Sequence, residues 1–259
     1  MAEHGIAIPS STGTATPEPL SEGRTALHTI LLACGIASSL LYGAMNVFIP
    51  MGWAGYSHAS RVISELSAIG APTRPVWVVL GIAYGVLVTA FGFGIWRSAR
   101  GNRPLRVVGA LIIASGAIGL FPWPPMHQRE VLAAGGATLT DTLHIVWSMV
   151  TVLLMLLAMG FGAAALGKRF RLYSVATMVV LVAFGALTGL DAPRISANLP
   201  TPWIGVWERI NIGVYMLWVV GLAIALLRRS TTAASSPLSA LAERATGGED
   251  WSQGVRRLP

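Results

Sequence analysis

Asp141 and His144 stand three residues apart in TLTDTLHIVW. On a helix that spacing puts a carboxylate and an imidazole on one face, a pairing used for metal ligation or general acid–base work. His58, Arg61 and Glu65 repeat it at intervals of three and four in YSHASRVISELSAIGAPTRP, where Val62, Leu66 and Ile69 make a second, apolar face. Glu208 and Arg209 adjoin in IGVWERINIG. Neighbours point about 100° apart on a helix, so these two must find partners on other elements. Asp191 and Arg194 in DAPRISANLPTPW are spaced to pair locally. His58 or His127 could complete a site with Asp141 and His144, but zinc needs at least three protein ligands and only those two have fixed spacing, so no metal is expected. His28 and His144 open apolar runs at opposite ends, which excludes a shared haem, and there is no CxxCH, HExxH, GxSxG or phosphate-binding glycine loop. No cofactor is expected.

The elements that must position these residues are apolar. The chain is 54% hydrophobic and 11% charged, against about 25% charged in a soluble domain. Six runs, at 26–48, 76–96, 105–123, 143–166, 172–190 and 204–227, are each long enough to cross a hydrocarbon core as a helix. The sequence predicts an all-α, polytopic six-transmembrane-helix bundle over 26–229, with an interfacial helix after the first span. A flexible tail, 1–25, precedes it and a polar tail, 230–259, follows, with a helical turn or two around 237–245. The +7 net charge reflects short basic loops, so no nucleic-acid partner is expected; the partner is the lipid bilayer, with a specific lipid as a further expectation. The lone Cys34 permits no intrachain disulfide.

Basic residues set the expected orientation. Arg24, Arg97, Arg100, Arg103, Arg106, Lys168, Arg169, Arg171, Arg228 and Arg229 flank one set of connections, and Arg61, Arg74, Arg129, Arg194 and Arg209 the other. The denser set belongs in the cytoplasm, with both termini. On the outer side, Glu65, Glu130, Asp141, Asp191 and Glu208 balance the five arginines, which predicts pairing there. Arginine in place of lysine everywhere except Lys168 fits a GC-rich bacterial genome and hence a bacterial cell membrane. Gly81 with Gly85, Gly185 with Gly189, and Gly109, Gly116 and Gly119 have the spacing of close helix seams. FPWPP and DAPRISANLPTPW read as rigid outer loops.

ISELSAIGAP after the first span, FPWPP closing the third, the histidine near the start of the fourth and GVWERINIGVYMLWVVGLAIALLRR at the end resemble the bacterial membrane family catalogued as domain of unknown function 998. The resemblance spans about 26–229 and implies a six-span helical bundle; it brings no activity, substrate or catalytic residue. In layout the chain is also similar to eukaryotic six-span proteins of lipid remodelling, which points toward lipids.

Three functions follow from these residues. The leading one is a non-catalytic bundle binding a lipid headgroup or small polar ligand at an outer mixed-charge site made by His58, Arg61, Glu65, Asp141, His144, Asp191, Arg194, Glu208 and Arg209. A small proton-coupled transporter would use Glu208 and His144. An outer-face hydrolase would use Asp141, His144 and Ser64 or Ser67.

Overall fold

The computed structural model describes residues 19–246 apart from Pro122 and, for side chains, residues 23–230. Six long helices carry the fold: α1 (Pro19–Phe48), α2 (Arg74–Ser98), α3 (Arg103–Leu120), then, after a short α4 (Arg129–Ala133), α5 (Leu139–Ala165), α6 (Lys168–Ser196) and α7 (Ile204–Thr246). All six are long and apolar enough to cross a membrane, and among the described residues there is no strand. α1 begins inside the stretch expected as a tail; the remainder of that stretch and residues 247–259 lie outside the described residues. α7 continues past Arg229 to Thr246, further than the expected turn or two.

Each spanning helix packs on its sequence neighbour, and α7 returns to α1, closing a ring. The ring encloses a core with Leu32 from α1, Phe91 and Ile95 from α2, Ile112 from α3, Met159 from α5, Leu181 from α6 and Trp218 and Leu222 from α7. Around the outside, Leu40, Val79, Met149, Val179 and Leu217 are exposed, as helices facing acyl chains require.

The α2–α3 seam is built on glycine. A Cβ on Gly92 would lie 2.7 Å from the Ile113 nitrogen, one on Gly109 2.8 Å from the Trp96 nitrogen and one on Gly116 2.6 Å from the Thr89 nitrogen. Backbones this close gain dispersion contacts that side chains would prevent. Of the expected seams, Gly185 approaches the Asn211 amide and Gly81 the Trp123 ring, whereas a Cβ on Gly189 would meet nothing within 4 Å.

At the end of the bundle where α1 joins α2, the stretch expected as an amphipathic helix takes another form. Residues 56–62 are turns and extended chain, and only Ile63–Ser67 is helical, as a 3₁₀ helix. Gly70, at φ +79°, ends the segment in the left-handed region that favours glycine. Ile63 and Leu66 pack on Met45, Ile49 and Trp77, while Val62 packs on Ile195 and Ile204. The segment is thus a plug wedged into the mouth of the ring, bridging α1, α2, α6 and α7. Burial of each such side chain contributes roughly 1.5–3 kcal/mol.

A second difference lies at DAPRIS. These residues extend α6 to Ser196, with Pro193 inside the helix, rather than forming a loop. Asn198, at φ +54°, donates its N–H to the Ile195 carbonyl (3.1 Å) and closes the helix, a conformation asparagine tolerates better than most residues.

Candidate functional site

A non-helical plug at the mouth of a membrane bundle has backbone groups that water does not reliably reach, and each needs a partner. Long polar side chains supply them. Arg209, one turn into α7, donates through one terminal nitrogen to the His58 carbonyl (2.8 Å) and the Arg61 carbonyl (3.2 Å), and through the other to the Tyr56 hydroxyl (2.8 Å). Tyr56 in turn donates to the Val62 carbonyl (3.0 Å). Burial pushes the Tyr56 phenol up to about 12 despite the pull of the Arg209 guanidinium, so it remains a neutral donor at ordinary pH. Glu208 accepts the Ile63 N–H. The Gly205 N–H at the start of α7 donates to the Ala59 carbonyl (2.8 Å). Thr73 and Arg74, opening α2, donate to the Leu66 and Ser67 carbonyls.

Glu65 is the centre of the plug. It is fully buried, accepts the Val62 N–H (3.2 Å), and forms ion pairs with Arg61 (2.8 Å) and Arg129 (2.6 Å). Arg129 approaches it through both Nε and a terminal nitrogen, the fork geometry that lysine cannot reproduce, and also donates to the Ser60 carbonyl (2.7 Å) and Thr201 (3.3 Å). Arg61 reaches on to Glu130 and lies over the Trp53 ring.

Glu130 makes this chain sensitive to acid. Burial opposes its ionisation, but its backbone N–H and the Arg61 guanidinium outweigh that and hold the carboxyl below its usual range. A lowered folded pKa means stabilisation that is complete above the unfolded value, about 4.3, and lost as pH falls through the folded one. The thermal midpoint of Glu130→Gln is therefore expected to fall below wild type at pH 7 and to converge with it below about pH 4; parallel pH profiles would show that the pair contributes nothing.

The nine residues singled out by sequence do not make one cluster. Arg61, Glu65, Glu208 and Arg209 meet at the plug. His58 joins only through its carbonyl, with its own side chain exposed and its ring edge-on to Tyr56. Asp141 accepts from the His127 N–H (2.7 Å) and Nδ1 (2.9 Å) and forms the capping box of α5 with Thr138. His144 donates from Nδ1 to the Pro124 carbonyl (2.8 Å). Asp191 and Arg194 form a separate pair at 3.7 Å. Ser67 donates to the Ser64 carbonyl (3.0 Å) and not to a histidine.

Among the described residues, two buried side-chain polar atoms, Arg209 Nε and Asn46 Oδ1, have no hydrogen-bond partner. Both residues line one cavity of about 210 Å³ between α1 and α7, directly under the plug, whose other walls include Tyr42, Ile63, Ile212 and Met216. The Asn46 orientation is fixed because its Nδ2 donates to the Tyr42 carbonyl (3.0 Å), a bond the flipped amide could not make. Asn46 was not singled out by sequence, whereas Arg129 was counted among the outer arginines expected to pair and His127 was weighed only as a further metal ligand. For Asn46 a signal existed, a lone amide in an apolar run.

These features define an integral membrane protein, a six-helix ring plugged at one end and holding a partly polar cavity beneath the plug. The chain matches the family described as "Protein of unknown function (DUF998)" over residues 36–225, and it belongs to that family. No curated protein and no solved structure matches it.

Proposed function

We propose that this chain is a binding protein of a bacterial cell membrane, both termini cytoplasmic, that holds a lipid headgroup or small polar ligand at its outer, plugged end. The single observation supporting this reading is that Arg209 Nε and Asn46 Oδ1 stay unpartnered and that both residues line one cavity. Leaving a buried donor and a buried acceptor unmade costs about 1–3 kcal/mol each, a cost a ligand removes on binding. Arg209 is the polar contact. Arg61, Glu65 and Glu208 hold the plug that roofs the site, and His58 accepts from Arg209 through its backbone carbonyl; Asp141, His144, Asp191 and Arg194 are not among the residues that line the cavity.

Native mass spectrometry of protein released from mild detergent tests it. Wild type is expected to retain a non-covalent adduct that the Arg209→Gln variant loses, with far-ultraviolet circular dichroism confirming that the variant remains folded. Wild type emerging bare, or a folded variant with the same adduct, overturns the reading.

A further inference from the structure

The end of the ring opposite the plug carries the reverse electrostatics. No acidic residue occurs in 66–129 or in 142–190, so the turns joining α2 to α3 and α5 to α6 carry positive charge only. Arg103 and Arg106, opening α3, and Lys168 and Arg169, opening α6, are exposed and take part in none of the ion pairs among the described residues. Topology alone accounts for basic residues at this end. It does not account for where the fold fixes them.

Both turns are fastened to the same helix end. Asn102 accepts the Leu105 N–H through Oδ1 (3.1 Å), capping α3, and donates from Nδ2 to the Ala165 carbonyl at the close of α5 (3.1 Å). Arg171, in the first turn of α6, donates from Nε to the Ala163 carbonyl (3.3 Å). α5 lies between α3 and α6 in the ring, so a cationic pair stands on either side of its last turns. Arg103, Arg106 and Ala110, at intervals of three and four, share one exposed face of α3. Further from this end, Leu157 and Phe161 on α5 and Leu172 on α6 are exposed. An apolar track on α5 therefore leads up to cations that no side chain neutralises.

The occupant that fits is an amphiphile with an anionic head. Arginine presents a planar fork that matches two oxygens of a phosphate, and lysine adds a point charge. A soluble anion would leave the track uncovered, and a neutral lipid would leave the four cations without counter-charge. We infer that the α3–α5–α6 corner binds an anionic phospholipid, its headgroup held between Arg103 and Arg106 on one side and Lys168 and Arg169 on the other, with its acyl chains along Leu157, Phe161 and Leu172. This site lies at the far end of the bundle from the plugged cavity and is independent of the reading given for that cavity.

The test uses full-length protein, delipidated in mild detergent, titrated with dioleoyl phosphatidylglycerol, dioleoyl phosphatidylethanolamine and glycerol 3-phosphate and followed by native mass spectrometry. Saturable retention of phosphatidylglycerol is expected, at least about tenfold tighter than the zwitterionic phosphatidylethanolamine and weakening as added salt screens the exposed charges. Arg103→Gln with Arg106→Gln, and separately Lys168→Gln with Arg169→Gln, should each weaken it roughly thirtyfold, equivalent to about 1 kcal/mol per cation. Each pair of substitutions leaves the other turn's cations to hold the topology. A Cβ on the exposed Gly160, one turn before Ala164 on α5, would meet nothing within 4 Å, so Gly160→Trp obstructs the track without touching a charge. It should weaken phosphatidylglycerol about fivefold or more through lost acyl contacts while keeping the wild-type melting temperature, an effect that diffuse attraction to a basic surface would not show. Phosphatidylethanolamine held as tightly as phosphatidylglycerol, or glutamine variants that bind like wild type, overturns the anionic headgroup. Wild-type retention in Gly160→Trp overturns the corner as a site, and glycerol 3-phosphate bound as tightly as the lipid overturns the membrane as the source of the ligand.

Discussion

Replacing Glu65 with alanine is expected to cost about 3–5 kcal/mol, the range for removing one partner of a buried ion pair. The carboxylate is fully buried between Arg61 and Arg129 and also holds the Val62 N–H. Without it two guanidiniums face each other across an apolar wedge, and the backbone amide loses its acceptor. The expected readout is a lowered melting temperature in detergent together with rapid tryptic cleavage at Arg61, which wild type resists. Arg129→Lys should produce a smaller loss of the same kind, since an ammonium keeps the charge but not the two-pronged contact. A Glu65→Ala protein that melts with wild type would mean that the plug is held by its apolar side chains alone.

Gly205→Ala is expected to be nearly as damaging, although it adds one methyl group. A Cβ at this position would collide with the Arg61 and His58 carbonyl oxygens and crowd the Arg209 guanidinium. The first turn of α7 lies flat against the plug, and its Gly205 N–H bonds the Ala59 carbonyl at 2.8 Å. Overpacking costs about 1–3 kcal/mol and the broken hydrogen bond about 1 kcal/mol more. Gly213→Ala, two turns along the same helix, is the matched control, because its methyl meets nothing within 4 Å. The two variants should differ by roughly 6–12 °C in melting temperature if ~3 kcal/mol separates them; equal melting would show that the plug shifts freely away from α7.

The spans were legible because an apolar run of membrane length admits one solution, a helix that satisfies its own backbone. The separation of Glu208 from Arg209 was legible for the same reason, being a consequence of local helix geometry. The plug was not. Periodicity at 58–69 favoured an α-helix, but the partners that stabilise the irregular chain instead, Glu208, Arg209, Gly205 and Arg129, come from distant elements. Their effect cannot be read from the segment they bind. Arg129 was legible as one of the outer arginines expected to pair, but its partner Glu65 was not, because Arg129 follows a proline-rich loop with no periodic pattern to give it a face. His144 and Asp141 share a helix face as their spacing predicts, yet each bonds the 121–128 connection separately, which spacing alone does not determine.

Because α7 closes the ring against α1, the cavity and its roof join elements far apart along the chain. The contact from Arg209 to the Arg61 carbonyl spans 148 residues, on the order of ten seconds of synthesis at roughly 5–20 residues per second. Throughout that interval the first span is in the bilayer with its Asn46 face uncovered and the plug's carbonyls lack their donors. The roof over the cavity is therefore completed only after α7 has been made.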